Sequence, residues 1–124
     1  MAKRKSSGLR WFGGIDPGKE GGLVLLEQAT NGRVCNIDYE KMPDTAANIY
    51  KAVKRLFDEA DYIFMEKVHS SPQMGVTSAF SFGYNNGVLE ASLAACQVSY
   101  SLVSPQSWQG ALGVPKKLPD QKQS

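Results

Sequence analysis

The chain has 124 residues, 42% of them hydrophobic and 21% charged, with a formal net charge of +2. That is the size and composition of a single globular domain with one core, and it leaves no room for a second. The apolar runs fall short of the roughly 18 to 20 residues of a membrane span, and no secretory hydrophobic region follows the basic start, so a cytoplasmic protein without membrane contact is expected.

Residues 1–8, MAKRKSSG, read as a flexible basic arm. The next stretch, RWFGGIDPGKEGGLVLL, sets one aspartate, a proline and a cluster of glycines between two apolar runs. Leu9 to Ile15 and Gly22 to Glu27 read as antiparallel strands, with Asp16 at the end of the first. Proline fixes its own φ and pushes the preceding residue toward extended geometry, while Gly18, Gly21 and Gly22 permit the return. The same pattern suits an ordinary hairpin in which Asp16 caps the backbone, so this stretch alone does not choose between the two. A third strand over Arg33 to Lys41 follows Asn31-Gly32, a strong hairpin signal, and completes a meander.

From Asp44 the period changes. Ala46, Ile49, Val53, Leu56, Phe57 and Ala60 recur at helical spacing, with Asp44 placed to cap and Lys51, Lys54 and Arg55 on the other face. DYIFMEKV gives a short buried strand from Tyr62 to about Met65, and it ends at a second carboxylate, Glu66. After the polar loop HSSPQMG a long helix is expected from about Val76 to Gln97. Its small residues Gly83, Gly87, Ala91 and Ala94 predict close packing on the sheet. Ser99 to Val103 reads as a fifth strand, and SPQSWQGAL as a short helix begun by Ser104 and Pro105. The expected domain covers 9–115, followed by a disordered tail over 116–124. Cys35 and Cys96 have no Cys or His neighbours at ligand spacing and read as buried, reduced thiols.

Three antiparallel strands, a helix, a strand, a helix and a strand make an α/β sheet. Right-handed crossovers place the fourth strand parallel to the first and beside it. Asp16 and Glu66 then arrive together at the carboxyl ends of neighbouring strands, where open α/β sheets build their sites. With strands about 4.8 Å apart, the two carboxylates can share one divalent cation. Like charges that close repel each other unless a cation lies between them. The pair therefore points to a hard metal ion, Mg²⁺ or Mn²⁺.

Three segments in this order, GIDPGKEGGLVLL, IFMEKVHSSPQMGVTSAFSFGYNNGVLEASLAA and YSLVSPQSWQGALG, together resemble the RuvC-type Holliday junction resolvases, particularly the small forms carried by phages. The resemblance runs from about Trp11 to Pro115. It implies an RNase H-like fold, with a five-stranded mixed sheet of three antiparallel strands followed by two parallel ones, flanked by helices. It also implies a homodimeric, Mg²⁺-dependent endonuclease that cuts branched DNA such as four-way junctions symmetrically. Such an enzyme would serve recombination, repair or phage DNA processing in a bacterial or phage-infected cell. On this resemblance Asp16 and Glu66 match two members of the acidic metal site and are the expected catalytic residues.

Members of that family continue into a further helix with the remaining metal-binding acids, and this chain stops before it. A C-terminally truncated form with little or no activity is expected. The later carboxylates, Glu90 and Asp120, match no part of that motif. Lys19, Lys67, His69, Lys116 and Lys117 are the candidate DNA contacts, with a solvated surface as the plain alternative for each. Phe80, Phe82 and Tyr84 read as core or dimer contacts. Two other functions fit parts of the pattern. One is a noncatalytic protein that binds branched DNA. The other is a phosphate-binding ATPase or sugar-kinase-like domain, since related folds also open with an aspartate before a glycine turn.

Overall fold

The computed structural model describes residues 8–67 and 73–104. In chain order the elements are β1 (Leu9–Asp16), β2 (Gly22–Ala29), β3 (Val34–Lys41), α1 (Ala46–Phe57), β4 (Tyr62–Glu66), α2 (Val76–Ala95) and β5 (Tyr100–Val103). They build one five-stranded sheet in the order β3-β2-β1-β4-β5. The first three strands are antiparallel, β4 runs parallel to β1, and β5 runs parallel to β4. This is the mixed sheet expected from the element order and the crossover rule. The basic arm, the helix expected after Ser104 and the tail lie outside the described residues.

Alternation along the strands sets the two faces of the sheet. Trp11, Gly13 and Ile15 of β1, Leu23 and Leu25 of β2, and Ile63 and Met65 of β4 point to one side and are buried. Ile49, Val53, Leu56 and Phe57 of α1, with Leu89 and Leu93 of α2, complete the core on that side. The opposite face carries Phe12, Val24 and Leu26, with Ile37, Tyr39 and Phe64 exposed. Among the described residues no helix covers it, because α1 and α2 both join the core cluster.

Several local expectations change. Thr45, not Asp44, caps α1, its hydroxyl accepting the Asn48 N–H at 3.1 Å. Either residue type can cap, and the chain turns into the helix one position later than periodicity placed it. Gly83, Gly87, Ala91 and Ala94 face outward, and a Cβ at Gly83 or Gly87 would meet nothing within 4 Å. Packing comes instead from Leu89, Ser92 and Leu93. Because α2 is apolar around much of its circumference, small residues alone did not tell which side meets the core. Cys35 is exposed on the edge strand β3 and Cys96 is half-buried, and both are free thiols. No helix among the described residues is long and apolar enough to cross a membrane.

Candidate active site at the ends of β1 and β4

Ile15 is paired with Met65 in the parallel ladder, and the next residue of each strand is a carboxylate. Paired residues of parallel strands point the same way, and successive residues alternate. Since Ile15 and Met65 are both buried on the helix side, Asp16 and Glu66 leave the sheet together on its open side. Asp16 is exposed and Glu66 half-buried. The structure thus brings the two predicted acids to neighbouring strand ends.

The turn after Asp16 holds its carboxylate in place. Its Oδ1 accepts the Gly18 N–H at 3.1 Å, and the Gly21 N–H donates to the Gly18 carbonyl at 2.9 Å. A Cβ at Gly21 would collide with the Asp16 backbone carbonyl, so glycine is required where the chain folds back on the acid. The hairpin cap and the projecting strand-end acid are therefore one arrangement. On the other strand, the Lys67 N–H donates to the Val103 carbonyl at 2.7 Å and extends the β4–β5 pairing past Glu66.

Asp16 and Glu66 supply oxygen donors of the kind that Mg²⁺ and Mn²⁺ prefer. No cluster of three or more His, Cys, Asp or Glu side chains is present among the described residues. Lys19 and Lys67 are exposed on the segments that leave the two acids. His69, Lys116 and Lys117 lie outside the described residues.

Glu90 has a different task. It accepts the Tyr100 hydroxyl at 2.8 Å and the Asn86 side-chain amide at 3.3 Å, tying α2 to β5. The hydrogen bond to Glu90, followed by burial, raises the Tyr100 pKa above its ordinary value.

One feature escaped sequence reasoning. Beside the β1–β2 turn lies a cavity of about 660 Å³, walled by that turn, the β3–α1 link and the N-terminal half of α2. Its helix wall is the polar stripe Thr77, Ser78, Ser81 and Asn85. The three- and four-residue spacing was legible, but hydroxyl and amide side chains on a helix read by default as solvent-facing.

No protein-family model and no curated protein matches the sequence. Solved structures do match. Thermus thermophilus RuvC in complex with a Holliday junction substrate superposes with a TM-score of 0.58 at 18% identity, covering 85% of this chain and 71% of that one. The yeast mitochondrial Holliday junction resolvase Ydc2 gives a TM-score of 0.53 at 17% identity, covering 82% and 55%. A ROK family protein from Streptococcus pneumoniae, in complex with sucrose, gives 0.51 at 14% identity, covering 81% and 36%. The fold is RNase H-like. Because a sugar-bound protein shares it, fold alone does not select the chemistry.

Proposed function

We propose that this chain is the nuclease domain of a Mg²⁺-dependent, structure-specific endonuclease acting on branched DNA such as four-way junctions. One observation carries the reading: two carboxylates, Asp16 and Glu66, emerge on one face from the ends of adjacent parallel strands. The resolvase-like fold around that pair supports it.

In this reading Asp16 and Glu66 hold the metal ion. An ion held there would supply Lewis-acid chemistry at the scissile phosphate and make a bound water more acidic. The Asp16 carboxylate is already oriented by the Gly18 N–H, which leaves its second oxygen for the ion. Lys19 and Lys67 flank the acids and attract the phosphate backbone.

The protein acts as a homodimer, since symmetric cutting of a four-way junction needs two sites related by a two-fold axis. The outward face of α2 supplies the contact, with Val76 88%, Phe80 75% and Tyr84 56% exposed. Phe82 does not share that face, because two residues along a helix turn it to nearly the opposite side.

The deciding experiment incubates a labelled four-way junction and a linear duplex of the same sequence with the protein in Mg²⁺ or Mn²⁺. Slow, metal-dependent cutting of the junction alone, abolished by Asp16→Asn, is the expected result. Junction binding with no cutting under any metal condition favours the noncatalytic binding protein.

A further inference from the structure

The strand register lays out the open face of the sheet in rows. Asp16 is paired with Gly22, and two residues back Gly14 is paired with Val24, which is paired in turn with Tyr39. Paired residues point the same way and residues two apart share a face, so Asp16, Gly22, Val24 and Tyr39 all project on the side away from the helices. Tyr39 leans forward by one row. A Cβ at Gly22 would meet its Cε1 and its hydroxyl oxygen, each at 2.7 Å. The ring therefore lies over Gly22, beside the strand end that carries Asp16.

Gly22 is needed there for space. Its φ is outside the left-handed region, so conformation alone would admit another residue, but a side chain would displace the ring. Side chains of paired residues leave antiparallel strands about 4.5 to 5.5 Å apart, which sets the Tyr39 hydroxyl no more than about 8 Å from the Asp16 Cβ. The strand order then places three groups in a line across the sheet: Glu66 at the end of β4, Asp16 at the end of β1, and the Tyr39 hydroxyl over the start of β2. Tyr39 is 60% exposed, and among the described residues nothing bonds to its hydroxyl.

The two acids repel a phosphate, so a strand held against them needs donors on the same face. A phenol donates an O–H and adds no charge. Tyrosine is among the side chains that hold phosphate oxygens and so fix the register of a bound strand. With the ring already seated on Gly22, little freedom is lost when the bond forms. Covering a glycine takes only a ring, which phenylalanine supplies equally, so the hydroxyl is where a functional role and a purely structural one part.

We propose that Tyr39 holds the substrate at this site: its hydroxyl donates a hydrogen bond to a phosphate oxygen of the DNA strand bound at Asp16 and Glu66, on the β2 side of Asp16. The inference rests on the nuclease reading and adds to it a residue of the edge strand β3 that sets the strand's register against the acids.

The test combines Tyr39→Phe with a series of four-way junctions, each carrying one methylphosphonate, a methyl group in place of a phosphate oxygen, at a single position near the crossover. Binding is measured in Ca²⁺, which takes carboxylate oxygens as Mg²⁺ does, before any strand is cut. Tyr39→Phe keeps the ring over Gly22, so the urea midpoint and the Mn²⁺ affinity stay those of the parent protein. It weakens binding of the unmodified junction by about tenfold. At one methylphosphonate position the two proteins bind equally, because the modification and the substitution remove the same hydrogen bond. A Tyr39→Phe protein that binds every junction as the parent does, or whose loss is the same at every position, overturns the assignment and leaves the nuclease reading standing. Absence of any junction binding by the parent protein removes both.

Discussion

Ile15 and Met65 lie side by side in the parallel β1–β4 ladder, both buried against the helices, and this pairing sends Asp16 and Glu66 out together on the opposite face. A register shift of one residue in β4 would bury Glu66 and separate the acids. The carboxylate pair thus depends on core residues that are themselves buried.

Metal binding by that pair is open to direct measurement. Removing a ligating carboxylate costs at least as much as removing an outer-shell partner, which is worth about ten- to a hundredfold in affinity. Asp16→Asn and Glu66→Gln should each weaken Mn²⁺ binding by at least about tenfold by calorimetry or electron paramagnetic resonance. Equal affinity in both variants and the parent protein would take the ion away from these acids.

Gly13 sits where β1, β4 and α1 meet. A Cβ there would run into Ile63 Cδ1 and the Phe57 ring, both side chains fully buried. Gly13→Ala should destabilise the fold by about 1 to 3 kcal/mol, the usual cost of overpacking. A urea denaturation midpoint within error of the parent protein would show that the core gives way more easily than its packing implies.

The bond between Tyr100 and Glu90 gives stability a pH dependence. Its donor is the neutral phenol, so the folded state holds the Tyr100 pKa above its unfolded value. The contribution is complete below the unfolded pKa of about 10 and is lost as pH rises through the higher folded value. Tyr100→Phe should cost about 1 kcal/mol near neutral pH, and the gap to the parent should close at alkaline pH. A gap that stays constant from pH 7 to 11 would mean that the hydroxyl does not hold α2 to β5.

Much of this architecture was legible because it follows from periodicity and chirality. Ile49, Val53, Leu56 and Phe57 announce α1 by spacing, and all four are buried. The element order with the crossover rule suggests β4 parallel to β1, and the strand order sets Glu66 beside Asp16. What escaped depends on direction around an axis or on contacts between distant elements. α2 has apolar residues on several sides, so spacing fixed that it is a helix and left open which side faces inward. The bond from Tyr100 to Glu90 and the groove beside Pro17 arise only once the elements are docked. No local pattern encodes them.

Phe80 and Tyr84 are four residues apart on the outward side of α2, which suits an isologous helix contact. Phe80→Asp places a charge at the centre of that contact without touching the core. Sedimentation should show a dimer for the parent protein at micromolar concentration and a monomer for the variant, with the thermal transition unchanged. A parent protein that is monomeric at every concentration would contradict the two-fold assembly.

Binding and cutting should respond to different residues. Phosphate neutralisation by exposed lysines is sequence-independent and screened by salt, so Lys67→Ala should reduce the slope of log affinity against log salt by about 0.9. Asp16→Asn should act in the opposite sense, leaving affinity equal or higher, because it removes a negative charge that faces the phosphates. Only the second substitution removes metal-assisted cutting. Two carboxylates suit one ion, whereas fixing both the attacking and the leaving oxygen takes a pair of ions about 3.5 to 4 Å apart. The 124-residue chain should therefore bind a junction readily and cut it slowly in Mg²⁺. Fast Mg²⁺-dependent cutting by the chain alone, lost in Asp16→Asn, would show that further ligands outside the described residues or in a partner subunit already complete the site.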